Sequence, residues 1–403
     1  MDESPLLTVG QRIQLYRERS GKTRAVLGGL VGRSDEWVKA IEKGRLLPPR
    51  LPMLDKLAAV LKVPITDLLG EDGPQIQALS GPGHAALPDV RAALNEYSLV
   101  IDAQPPPLPE LAARTAAAWR ARHSSSDHRT VLGALLPGLI RDTRRAARVY
   151  EGEQRRQAQA LVADVLGLGQ MFIAYQPAAE LLWRVADRAM VAAQDSGDPA
   201  AIAGAAWFLV EALRDAGDWD TAMTVNLDAL RVVEPFLPAA GDDLLAMWGA
   251  LHTVAALTAA RAGEEGRAWL HWDQAAQMAG RLPAGYTHSR TWFSRPVVGF
   301  YAVSIGVELR KGGEALRQAA RVAPQSITSR PRRARHLIEV ARGHHLKSDH
   351  AATLATLRNA NATAPETIRY NGYARQMTIE LLNGPPGLRA QAHDLAVKVG
   401  LLS

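Results

Sequence analysis

The sequence predicts an all-α protein, a small N-terminal head of five helices followed by a long body of stacked helical hairpins. Three observations carry that expectation. An eighteen-residue stretch from Arg24 to Ile41 has the spacing of two short helices crossing through a tight turn. Beyond Asp72 no segment alternates apolar and polar residues with period two, and the chain there is rich in Ala, Leu and Arg. Within that region a pattern of about thirty-four residues recurs imperfectly.

In the first stretch, RAVLGGLVGRSDEWVKAI, Leu27, Val38 and Ile41 are placed to fill the angle between the two helices. Gly28 lets their backbones approach, and Gly32 supplies a turn that a Cβ would strain. Ser34 is set to N-cap the second helix. Upstream, Val9, Ile13 and Tyr16 recur at helical spacing, the polar run Arg17 to Lys22 ends that helix, and Thr23 N-caps the next. Downstream, Leu54, Leu57, Ala58 and Leu61 make a fourth amphipathic helix, and Val63 to Leu69 a short fifth.

Over residues 8 to 69 the chain resembles the helix-turn-helix domain of the repressor family that includes the lambda and Cro repressors, often called the XRE family. Ile41-Glu42-Lys43-Gly44-Arg45 resembles that family's hydrophobic-Glu-Arg-Gly ending, with Lys43 in place of the commoner Arg. The resemblance implies a double-stranded DNA operator, pseudo-palindromic and bound by a homodimer. The helix beginning at Ser34 then enters the major groove, with Asp35, Glu36 and Lys39 facing the bases and Arg33 near the turn. Arg24 stands where the family commonly has Gln; with Lys22, Thr23, Lys43, Arg45 and Arg50 it is a candidate phosphate contact. Asp35 and Glu36 depart from an ordinary phosphate binder. They either accept from a cytosine amino group or favour the helix N-terminus electrostatically. Trp37 adds bulk that packs on the core or lies against a sugar.

Charge agrees with this division. Residues 1 to 70 hold 12 Lys and Arg against 8 Asp and Glu, which is +4 of the whole chain's +6. The chain has no cysteine, which excludes disulfides and thiolate metal sites. The acidic start (Asp2, Glu3) and the lack of a long apolar run argue against a secretory signal or a membrane span, so a cytoplasmic location is expected. No Walker-type, HExxH or GxSxG pattern occurs, so no enzyme activity, catalytic residue or cofactor is expected. His344, His345 and His350 fall at a repeat's helix end and turn, and no metal is expected there.

The domain boundaries follow composition: a head over 1–72, a linker over 73–109, and a helical-repeat body over 110–403. Six Gly and Pro residues between Gly70 and Gly83 mark the linker. A helix over Leu87 to about Ile101 ends before Pro105-Pro106-Pro107 and either forms part of a hinge or docks on the body. Helices follow over about 108–122, 130–150 and 151–174, with a basic stripe at Arg141, Arg144, Arg145 and Arg148. That stripe is a solvated face or a second surface for DNA phosphates.

Three repeat copies are legible. One runs through Ala206-Trp207-Phe208 and Gly217-Asp218-Trp219-Asp220-Thr221-Ala222, another through Ala255, Ala259, Gly263, Ala268 and Ala275. The clearest has Leu337, Val340, Ala341 and His344, then Thr353, Leu357, Ala360 and Pro365. Weaker copies include Ala179, Trp183 and Ala186, and the span from Gly299 to Val322. These resemble the tetratricopeptide consensus, which implies an α-solenoid whose concave face is lined by first-helix side chains. Head and body together resemble a group of actinobacterial regulators, most specifically at Arg332 to Ala341, and that resemblance implies a small-molecule or peptide effector.

Residues 281 to 296, RLPAGYTHSRTWFSRP, break the repeat. Tyr286, His288, Arg290, Trp292, Phe293 and Arg295, with Trp248 and His252 on a neighbouring first helix, are the candidate ligand contacts. The other reading is that these aromatics plug the superhelix. Two functions remain open: a regulator whose body senses a ligand or dimerises, and a DNA-tethered adaptor whose repeats grip a protein partner.

Overall fold

In the computed structural model, residues 8–46, 49, 51–63, 68, 83–97 and 103–402 are described. They form helices, with no strand among them, so the chain is all-α. Four helices of the head are seen: α1 (Val9–Arg19), α2 (Arg24–Val31), α3 (Asp35–Glu42) and α4 (Leu51–Leu61). The expected fifth, over Val63 to Leu69, lies largely outside the described residues, as does the Gly- and Pro-rich stretch before Gly83.

Each head helix begins as the sequence dictates. Thr8 and Gln11 form a reciprocal capping box at α1, Thr23 accepts from Val26 N–H at α2, and Ser34 accepts from Trp37 N–H at α3. Gly32 ends α2 in the left-handed region at φ 71°. At Gly28 a Cβ would sit 2.5 Å from the Arg33 carbonyl oxygen, so the crossing of α2 and α3 requires glycine there. Ile13, Leu27, Val38, Ile41 and Leu57 are buried between the helices.

After the head, α5 (Leu87–Asn95) packs along α7 (His128–Val149) rather than standing free. Arg141 bonds Glu96 at 2.6 Å, Arg188 donates to the Leu94 carbonyl at 2.8 Å, and Arg144 lies over the Tyr97 ring. The basic stripe of α7 is therefore spent in part on fixing this segment.

The body consists of α6 (Leu108–Ser124), α7, and then antiparallel pairs. The pairs are α8 (Gly152–Ile173) with α9 (Ala179–Ser196), α10 (Pro199–Asp215) with α11 (Trp219–Val233), and α12 (Asp242–Ala262) with α13 (Glu265–Arg281). Next come α14 (Arg295–Glu308) with α15 (Gly312–Ala319), and α16 (Arg330–Leu346) with α17 (His350–Thr363). The short α18 (Pro365–Arg369), α19 (Gly372–Leu382) and α20 (Pro386–Lys398) close the C-terminal end.

Small residues set the spacing. At Gly167 a Cβ would meet the Phe208 ring at 2.4 Å, and at Gly249 the Phe293 ring at 2.3 Å. Asp218 and Asp349 N-cap α11 and α17 at the repeat turns. α12 is long and apolar enough to cross a membrane by composition, yet 83% of its apolar window is buried among its neighbours.

The first helices, α6, α8, α10, α12, α14 and α16, each contact the next, and α16 returns to contact α6. Six inner helices therefore form a closed ring. His123 on α6 bonds Ser329 at the start of α16 at 2.8 Å. Outside it, Glu366 accepts from the backbone N–H of Arg129 and Thr130. The small rotation between successive hairpins has accumulated to one full turn.

Candidate nucleic-acid interface and the cavities of the body

The outer face of α3 is the exposed one. Ser34, Asp35 and Glu36 are open to solvent and Lys39 is half-buried, while Val38 and Ile41 point into the head. Glu36 holds two of the candidate cations, Lys39 at 3.1 Å and Arg45 at 3.6 Å, and these neighbours keep its carboxyl below the usual range. Both pairs are solvent-exposed and exchange readily with other partners. Thr23, Lys43 and Arg45 are exposed and Lys22 is half-buried; Arg50 lies outside the described residues.

Arg24 is less free than a phosphate contact ought to be. Its Nε donates to Glu42 at 2.7 Å, and Glu42 also accepts from Arg17. Glu42 is fully buried, Arg17 nearly so, and Arg24 keeps 30% of its side chain exposed. This triad joins α1, α2 and the end of α3, and gives a physical reason for the Glu in the Ile41 to Arg45 ending.

Arg33 is a correction. Read as a residue near the DNA, it instead turns toward the body, its side chain only 5% exposed. Its guanidinium lies 4.5 Å from the Trp219 ring centroid and bonds Asp220 at 3.2 Å. Burial lowers its pKa, opposed by Asp220 and Asp218. Trp37 faces the same way and meets Trp219 edge to face. Three successive turns of the body carry the head. Gly217 abuts Met53, Gly263 abuts Leu46, and Arg310 after α14 donates to the Gly44 carbonyl at 3.1 Å. The body thus clamps one flank of α3 and leaves Ser34, Asp35 and Glu36 free.

Of the two readings of the 281–296 segment, the side-chain partners favour packing within the chain, although Arg290 also lines a cavity. Phe293 is buried against Gly249 on α12, and His288 is buried with Nδ1 on the Thr291 hydroxyl at 2.8 Å. Burial, then the charge of Arg290, pushes His288 down to about 4. Arg290 forms a two-pronged pair with Asp164 at 2.6 and 2.8 Å, and Trp119 donates to the same carboxylate. Trp292 lies 3.9 Å from the His123 ring and donates to Thr328, Tyr286 donates to Asp243, and Arg295 donates to the Ala279 and Gly280 carbonyls. Trp248 and His252 pack on each other, and His252 reaches His271 at 3.0 Å.

Two cavities bear on the site. One, of about 420 Å³, lies between α6, α8 and α10 and is walled mainly by Ala and Leu, with the Arg290–Asp164 pair at its edge. The second, of about 140 Å³, lies inside the ring. Neither was visible as a motif, because their linings come from helices far apart in sequence.

Residues 8–69 match the family described as helix-turn-helix domain. No curated protein matches the chain. Among solved structures, Bacillus thuringiensis PlcR in complex with the peptide PapR7 and DNA is similar at 11% identity, over 87% of this chain and 99% of that one, with a TM-score of 0.28. ComR from S. thermophilus, in complex with DNA and its signalling peptide ComS, is similar at 17% identity, over 68% of this chain and 93% of that one, with a TM-score of 0.27. Likenesses this loose set no residue of this chain against one of theirs.

Proposed function

We propose that this chain is a sequence-specific DNA-binding transcriptional regulator of the cytoplasm. Its helical-repeat body senses a small molecule or peptide and forms the homodimer. The carrying observation is the exposure of one face of α3: Ser34, Asp35, Glu36 and Lys39 stand outward while Trp37 and Arg33 anchor the opposite flank to the body. A short, N-capped helix held rigidly at its flank and open at its outer face suits insertion into a major groove. Asp35 and Glu36 read cytosine amino groups, Lys39 discriminates among bases, and Thr23, Arg24, Lys43 and Arg45 hold phosphates.

Sequencing the duplexes that the purified full-length chain retains from a random pool tests this reading. A spaced inverted repeat is expected, with Lys39→Ala broadening the retained set. A pool that stays random after repeated selection overturns it.

A further inference from the structure

The cavity inside the ring takes a wall residue from each inner helix: Arg122, Gln170, Trp207, Arg261, Ser304 and Arg332. Its charge is unevenly compensated. On the side beneath the head, arginines and carboxylates alternate. Arg261 bonds Asp215 at 2.9 Å and Glu308 at 3.3 Å, Arg342 bonds Glu308 at 3.2 Å and Glu339 at 2.6 Å, and Arg335 bonds Glu339 at 2.8 Å.

The opposite side lacks that balance. Arg122 is 7% exposed and Arg332 9%, and neither has a carboxylate within ion-pair distance among the described residues. Among the described residues Arg122 donates to His123 and the Met171 sulfur, and Arg332 lies 5.6 Å from the Trp207 ring centroid. Glu211 acts favourably on Arg122 from beyond ion-pair distance and pairs with Arg214 at 3.5 Å. Arg129 spends its terminal nitrogens on the Phe172 and Ala174 carbonyls. Burial, followed by the charges of Arg332 and Arg129, pulls the Arg122 guanidinium down to about 9.

The Nε atoms of Arg122, Arg129 and Arg332 and the indole N–H of Trp207 have no hydrogen-bond partner among the described residues. All four are donors. Water would satisfy donors but would not neutralise the charge, and buried charge without a counter-ion is costly.

We propose that this end of the cavity binds a small organic oxyanion, a carboxylate or a phosphate, on an apolar body about one ring in size. The oxyanion lies between Arg122 and Arg332 and accepts from Trp207, and the apolar part runs along Phe300 and Tyr301 in the same wall. The size follows from the volume, about 140 Å³, close to the roughly 150 Å³ that holds a benzene ring. Tyr175, 39% exposed, marks the rim.

The cavity's other end reaches the head. Arg214, in the cavity wall, accepts through its carbonyl from the Trp219 indole at 3.1 Å, and Trp219 carries Trp37 and Arg33. This assignment rests on the sensing part of the proposed function, and binding is therefore read without DNA so that the two fail separately.

The test is thermal melting of the full-length chain at constant ionic strength with benzoate, phenyl phosphate, inorganic phosphate or the neutral isostere benzamide. Benzoate or phenyl phosphate is expected to raise the melting temperature by about 3 °C or more at saturation, and benzamide to leave it unchanged. The stronger of the two anions identifies the headgroup. Arg332→Gln and Arg122→Gln are each expected to keep or raise the ligand-free melting temperature while abolishing the response. No response to any oxyanion, an equal response to benzamide, or a response surviving both substitutions overturns the site. So does a ligand-free melting temperature that falls in both variants, because the arginines then serve the fold.

Discussion

Trp37 of the head and Trp219 of the body meet edge to face, with ring centroids 5.7 Å apart and planes inclined by 67°. Each is at most 9% exposed, so much of the burial of either depends on the other's domain. Trp219→Ala is expected to cost about 3–5 kcal/mol by the usual range for a buried aromatic. The loss should be local: the head amides exchange hydrogen faster and melt in a separate, earlier calorimetric transition, while the ring keeps its own. A single unshifted transition would show that the joint contributes nothing to cooperativity.

Glu42 joins three helices through Arg17 and Arg24. Glu42→Gln leaves the buried Arg17 only the exposed Glu18 carboxylate, at 3.2 Å, and is expected to destabilise the head by about 3 kcal/mol, the lower end for breaking a buried pair because Arg17 keeps that partner and Arg24 can turn to water. Arg24→Ala removes the more exposed partner, so its effect on stability should be smaller. Its effect on DNA should appear as a shallower salt dependence, reduced by about one unit of slope for a lost phosphate contact. Urea melts of the free protein and binding titrations at several salt concentrations separate the two roles.

Glu36 faces solvent and holds Lys39 and Arg45. Glu36→Gln removes a negative charge from the proposed DNA face and releases both cations. A unit charge 4 Å from a phosphate in water is worth about 1 kcal/mol, so affinity for random duplex DNA should rise about fivefold at low salt. Specific affinity should rise less if Glu36 reads a base. An unchanged random-sequence affinity would place Glu36 away from the backbone.

The head was legible because its signals are local. Thr23, Gly28, Gly32 and Ser34 fix caps, a crossing and a turn within a dozen residues, and the structure uses each as the sequence suggested. The hairpins were legible for the same reason, with Asp218 and Asp349 capping their second helices. Ring closure was not, because a small rotation between neighbours leaves no mark on any one repeat, and only their sum brings Ser329 to His123.

Arg33 turns from the expected DNA side, and Trp37 takes the core rather than the sugar, for a related reason: their partners, Trp219 and Asp220, lie some 180 residues on. The 281–296 segment has the composition of a ligand site, yet Gly249 packs on Phe293 and Asp164 pairs with Arg290, intramolecular partners that no short window contains. The arginines of the inner cavity come from helices at opposite ends of the body, and no motif joins them.

Buried imidazoles make the body acid-sensitive. Burial lowers His252 to about 3, with the nearby His271 adding to the effect, and lowers His336 to about 4 against the opposing charge of Glu339. His288 falls to about 4 for the reasons given above. An unfolded histidine titrates near pH 6.5. Between pH 6.5 and about 4 the unfolded chain therefore binds protons that the folded chain does not. The stabilisation is fully present above pH 6.5 and is lost as pH falls toward the folded values. The melting temperature should drop by about 5 °C or more between pH 7 and 4.5. His336 allows a clean check, because neither ring nitrogen has a hydrogen-bond partner among the described residues and the ring packs against Phe300. His336→Leu should keep the melting temperature at pH 7 and shrink the acid drop. An undiminished drop in that variant would assign the sensitivity to the other buried imidazoles, His123 and His128 among them.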